Sequence, residues 1–212
     1  MVGLASDNLP TPPGYPVWRT PLITMRAALL YPGRRLPLHL RGQKYKRILE
    51  EARSGDTLIS MATEREGEAE AVYEMVGVGR VRDSLTYPDG VHMTLEGITR
   101  GRILQRQQDE EVPLALVAPV TEMGSREEVE EEAARLLAML GRVGPIGRRD
   151  WRSIPLGEVA DLVNAHLPTP IEKRQEVFEI LDVARRLRQV RKLLAQTRQE
   201  RFPGRSFFPA TS

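Results

Sequence analysis

An α+β protein, β-rich in its N-terminal half and helical in its C-terminal half, is predicted by three features of the 212-residue chain. Short apolar runs broken by turn residues fill residues 21–120, the pattern of a compact β unit. Near Glu122 the apolar spacing changes from two to three and four, the period of helices. The length suffices to bury one large core or two smaller ones, and two subdomains are expected. The expected organisation is a loose leader at 1–20, a β-rich subdomain at 21–120, a helical bundle at 121–203 and a tail at 204–212.

The leader carries Pro10, Pro12, Pro13 and Pro16, which remove backbone donors and resist regular structure. The runs PLITMRAALL, LPLHL, TLISMAT, AVYEMVGVGRV, HMTLEGI, RILQRQ and LALVAPV then read as strands. Between the first two, Pro32-Gly33 makes a turn, and Pro37 suits an edge strand that needs no ladder donor there. Tyr45, Ile48 and Leu49 begin an amphipathic helix that covers the β unit. In SLTYPDGVHMTLEG, Pro88-Asp89-Gly90 separates two extended stretches and predicts a hairpin. Beyond the turn, Val91, Met93 and Leu95 alternate with His92, Thr94 and Glu96, as in a half-buried strand.

The helical half opens with SREEVEEEAARLLAMLGRV, where Ser125 stands three residues before Glu128 as in a capping box and Gly141 ends the run. A glycine-rich link, GPIGRRD, leads to a second helix in IPLGEVADLVNAHLP, stopped by Pro168. A third helix is expected from about Pro170 to Arg201, with Ile180, Val183, Leu187, Val190 and Leu194 forming one apolar stripe.

The composition excludes several chemistries. There is no cysteine, hence no disulfide, thiolate metal site or cysteine nucleophile. With 31 basic and 29 acidic residues, the net charge of +2 does not demand a polyanionic partner. No apolar stretch approaches the roughly 20 residues that span a bilayer, and the N-terminus lacks a signal-peptide pattern, so a soluble cytoplasmic protein without membrane contact is expected. His39, His92 and His166 lie far apart and lack the i, i+4 spacing of a helical metal site, so no metal is expected. GVGRVR at 77–82 lacks the third glycine of a dinucleotide fingerprint, and GRVGPIGRRD at 141–150 lacks the lysine and hydroxyl of a phosphate loop, so no cofactor is expected either. No Gly-x-Ser-x-Gly elbow occurs. Arg185, Arg188, Arg191, Lys192 and Arg198 could form a positive stripe on the last helix. Arginine stems flanking an apolar seam are the simpler account of the same residues.

Three blocks match one family pattern. The first runs from Pro21 to Tyr45 and matches through Pro21, Leu22, Pro32, Gly33, Pro37, Leu38 and Tyr45, departing at residues 40–44. The second, Gly79 to Ile103, matches through Asp89, Gly90, Gly97, Arg100, Arg102 and Ile103. The third is helical and matches through Ala160, Asp161, Glu172, Lys173, Gln175, Asp182, Val183, Arg186 and Leu187. Together and in this order they resemble the N-terminal domain of Lon proteases.

This resemblance implies a PUA-like pseudobarrel followed by an α-helical bundle. It further implies binding of unfolded or partly folded polypeptides, with a protease or chaperone as possible further partner. Since the sequence offers no phosphate loop and no activated nucleophile, a non-enzymatic member without the ATPase and protease domains is expected, either stand-alone, as the Phe-Phe-Pro tail favours, or a piece of a longer protein. Adaptable apolar side chains suit such capture, and Met25, Tyr31, Met61, Tyr73 and Met75 are the candidate polypeptide-binding residues. Because PUA-like barrels also occur in RNA-binding proteins, RNA binding through the basic last helix is the alternative.

Overall fold

The computed structural model describes residues 16–68, 71–107, 112–140 and 154–201, the last four by backbone alone. The proline-rich stretch 1–15, the glycine-rich link at 144–150 and the tail at 204–212 lie outside the described residues.

Six strands come from the apolar runs: β1 (Trp18–Met25), β2 (Arg35–Arg41), β3 (Leu58–Thr63), β4 (Met75–Tyr87), β5 (Gly90–Gln107) and β6 (Leu114–Pro119). Trp18 to Thr20 thus belong to the sheet and not to a leader. HMTLEGI and RILQRQ, which read as two strands, are one continuous 18-residue strand. The sheet order is β2-β5-β4-β3-β1-β6, and β5 pairs with β6 as well. That extra pairing closes five strands into a barrel and leaves β2 on the N-terminal half of β5, with one edge unpaired among the described residues.

The Pro88-Asp89 hairpin is present, with Tyr87 paired to Gly90. Val91, Met93 and Leu95 are buried and His92 is exposed, as the alternation requires. Helix α1 (Gln43–Ser54) lies over this inner face. Ile48, Leu49 and Ala52 pack with Leu38, Leu40, Val91, Met93 and Leu95 in one core. Each large side chain buried there contributes about 1.5–3 kcal/mol. Gly97 is required by a close approach. A Cβ at this position would collide with the carbonyl oxygen of Tyr31, where the β1–β2 connection crosses β5.

After β6 the chain is helical: α2 (Arg126–Leu140), α3 (Leu156–His166), α4 (Ile171–Phe178) and α5 (Val183–Arg201). The Glu128 N–H donates to Ser125 Oγ at 3.3 Å, one half of the expected capping box. Leu136, Leu140, Val159, Val163, Leu187 and Val190 form the bundle core.

The single helix expected from Pro170 to Arg201 is two helices. Between them Leu181 accepts from the Met123 N–H at 3.0 Å and the Val183 N–H donates to the Met123 carbonyl at 2.9 Å. These groups are therefore lost to the helical ladder. Asp182 then caps the new helix, its Oδ1 accepting from the Arg185 N–H at 2.8 Å. Ile180 falls in the break and Leu194 is only half-buried, so the buried stripe runs through Val183, Leu187, Val190 and Leu193. The signal for the break was Asp182, a capping residue standing just before an apolar periodic run.

Candidate functional site

The barrel and bundle meet around a buried ionic cluster. Arg100 on β5 is 1% exposed and bonds through all three guanidinium nitrogens: Nη1 to Glu122 at 2.6 Å, Nη2 to Asp161 at 2.5 Å and Nε to the Phe178 carbonyl at 2.9 Å. Its charge also sits 4.6 Å from the centre of the Phe178 ring. Arg186 on α5 reaches the same Glu122 oxygen at 2.7 Å and the Ile180 carbonyl at 2.8 Å. Its Nε is 3.4 Å from Asp161 Oδ1. Burial pushes the Asp161 carboxyl up, against the downward pull of Arg100 and Arg186. In a cleft beside the cluster, lined by Pro32, Ile98, Val120 and Gly157, burial and the neighbouring Asp161 and Glu122 charges raise Glu158 in the same way, with Arg34 opposing.

Two polar side chains extend the junction. Gln175 Nε2 donates to the Met75 carbonyl at 3.0 Å, and its Oε1 accepts from Thr63 Oγ1 at 2.9 Å. Asn164 Nδ2 donates to the Tyr31 hydroxyl at 2.9 Å. Arg100, Asp161, Gln175, Asp182 and Arg186, which carry much of the sequence resemblance, therefore fix the barrel to the bundle and cap a helix.

A different surface is open. On the outer face of β2, β5 and β4, a groove of about 320 Å³ is lined by Pro37, His39, Asp83, Leu85, His92 and Thr94. The His39 and His92 rings face each other across the strands with centroids 3.9 Å apart, and Tyr87 lies 4.7 Å from His92. Leu85, opposite His92 on β4, is 64% exposed and Tyr87 is 40% exposed.

A β-bulge puts them there. Val81 pairs with buried Leu95 and so faces inward, and strict alternation would carry Asp83, Leu85 and Tyr87 inward as well. The register shifts between Val81 and Asp83, so Ser84 takes the inward place opposite buried Met93. One extra residue reverses the faces of all that follow. Leu85 and Tyr87 consequently point to solvent.

Of the five apolar residues expected to bind polypeptide, Tyr31, Met61 and Met75 are core. They offer no surface, because Tyr31 and Met75 pack against Phe178 and Met61 lies under α1. Met25 and Tyr73 are half-buried; Tyr73 carries the Arg65 guanidinium 5.0 Å above its ring, and neither joins the groove. His39 and His92 were weighed by sequence reasoning only as metal ligands, and Leu85 and Tyr87, which line or flank this groove, were not singled out. Their signal was an apolar pair beside the hairpin turn, legible only with the bulge in view.

The basic stripe of α5 is divided. Arg188 and Arg191, with Arg135 of α2, all bind the carboxylate of Glu132, at 3.2, 3.3 and 2.8 Å. Arg185 and Lys192 are exposed, and the Arg198 side chain lies outside the described residues. Burial opposes ionisation of Glu132, but the three guanidiniums outweigh it and hold the carboxyl below its ordinary range. A lowered folded-state pKa contributes stability above the unfolded value of 4.5, lost as pH falls through the folded value. The stability gap between the wild type and Glu132→Gln should therefore be full at about pH 6 and shrink towards about pH 3, read by urea unfolding. A gap independent of pH would show that Glu132 acts by packing alone.

Among the described residues no group of three or more histidine, aspartate or glutamate side chains is arranged to hold a metal, and no helix is long and apolar enough to cross a membrane. The closed barrel, its added strand and the attached bundle define an α+β domain, a β-barrel followed by a helical bundle. The chain belongs to the ATP-dependent protease La (LON) substrate-binding domain family, whose model matches residues 19–196. It is 29% identical over 185 residues to a Lon protease of Brevibacillus choshinensis, covering 79% of this chain and 23% of the relative. To Lon protease 2 of Myxococcus xanthus it is 28% identical over 195 residues, covering 84% and 24%. The chain thus spans about a quarter of the length of these relatives, and the match carries neither an ATPase nor a protease domain. The fold is that of the N-terminal domain of a Mycobacterium avium complex Lon protease, at TM-score 0.66 and 19% identity, covering 84% of this chain and 98% of that one. A Lon N-terminal domain protein from Xanthomonas campestris superposes at TM-score 0.61 with 23% identity, again covering 84% and 98%.

Proposed function

We propose that this chain is a non-catalytic recognition module that captures unfolded or partly folded polypeptide on the outer face of β2, β5 and β4 and presents it to a protease. The observation that carries this reading is the outward display of Leu85 and Tyr87 beside the groove, where they would otherwise be the apolar side of a half-buried strand. Exposed apolar clusters on a folded surface mark interaction sites. An extended client suits this one, since the unpaired edge of β2 lies alongside and unfolded chains offer backbone donors as well as apolar side chains. Membership of a substrate-binding domain family supports the same assignment.

Binding of a fluorescently labelled, permanently unfolded polypeptide, followed by anisotropy, tests it. Leu85→Asp should weaken binding about tenfold or more, equivalent to about 1.4 kcal/mol, with thermal stability unchanged because the side chain is exposed. The native form of the same polypeptide should not bind. Undiminished binding by Leu85→Asp together with Tyr87→Ala would remove this surface from consideration. A lysate partner lost on nuclease treatment would favour RNA binding instead.

A further inference from the structure

The chain's histidines are remote in sequence, but strand pairing brings two of them together. His39 of β2 is the direct cross-strand partner of His92 of β5. The Gly42 N–H donates to the Asp89 carbonyl at 2.7 Å and the Gly97 N–H to the Arg34 carbonyl at 2.8 Å, so the even-numbered residues of β2 turn their backbone groups toward β5. His39 and His92 therefore occupy a non-hydrogen-bonded pair, the position where opposed side chains approach most closely.

We propose that His39 and His92 form a two-imidazole chelate for a divalent transition-metal ion of the zinc class. Both rings are exposed, and among the described residues their contacts are with each other and with Tyr87, leaving the ring nitrogens open as donors. Zinc–imidazole bonds of about 2.0–2.1 Å place two nitrogens of a tetrahedral site roughly 3.4 Å apart. In the structure the ring centroids stand 3.9 Å apart. A tetrahedral ion, bound along each ring plane, holds them roughly 5 Å apart, so the two exposed side chains swing apart by about one ångström to chelate it. Imidazole pairs suit zinc, nickel and copper and do not suit magnesium or calcium. Asp83 lines the same groove and gives it a negative charge that favours a cation.

Two protein ligands leave the other coordination positions to water. Exposure of both residues keeps the ion accessible from solvent. The chelate ties edge strand β2 to β5 near the N-terminal end of β5, so bound metal stabilises the folded state by mass action.

The test is titration of the full chain with zinc sulfate in the absence of any polypeptide, followed by calorimetry and by the histidine ring signals in NMR. One zinc should bind per chain and perturb the rings of His39 and His92. His39→Gln and His92→Gln should each weaken binding at least tenfold, whereas His166→Gln should leave it unchanged. Zinc binding that is absent, or equal in all three variants, or lost in His166→Gln, overturns the chelate. Polypeptide capture measured with a chelator present reads the proposed function separately, so the two can fail independently.

Discussion

Asp161→Ala is expected to lower the stability of the chain by about 3–5 kcal/mol, the cost of breaking a buried ion pair by removing one partner. Asp161 is 1% exposed, and its loss strands two guanidiniums, those of Arg100 at 1% and Arg186 at 0% exposure. Glu122 remains beside both, but its side chain is 38% exposed and one carboxylate then faces two buried cations. Equilibrium urea unfolding measures the loss. Arg126→Ala is the contrast: its i, i+4 pair with Glu130 is exposed on both sides, and its removal should shift the midpoint little. If Asp161→Ala changed stability no more than Arg126→Ala, the cluster would not be what joins barrel to bundle.

Leu187→Ala should cost about 2–5 kcal/mol through lost burial and the cavity left behind. Leu187 is fully buried at the centre of the bundle, in one cluster with Leu136 and Leu140 of α2 and Val163 of α3. Arg188→Ala, one residue on, removes a half-exposed contact to Glu132 and should cost far less. Thermal denaturation of the pair distinguishes a core position from a surface one. A melting temperature unchanged in Leu187→Ala, with loss of capture of an unfolded client, would instead make the stripe a binding surface.

Much of the fold was legible because its signals are local. The Pro88-Asp89-Gly90 turn, the alternation through Val91, Met93 and Leu95 and the Ser125 cap each lie within a few residues of what they specify. The C-terminal helix was read too long for a nonlocal reason, since its break is imposed by backbone bonds from Met123, nearly 60 residues earlier. Three of the five binding residues proposed from the sequence proved to be core, because side-chain type alone does not distinguish a methionine that packs from one that captures.

By itself, the sequence determined where most strands and helices lie and that no cysteine chemistry is available, though it divided β5 in two and joined α4 to α5. Tertiary structure alone decided that Arg100, Asp161 and Arg186 share one ionic cluster and that His39 faces His92. It also decided that a bulge after Val81 turns Leu85 and Tyr87 outward. The physical reason is range: turns, caps and periods are fixed by near neighbours, whereas the face a strand residue shows depends on its register with a partner strand. A single extra residue in that register reverses the face.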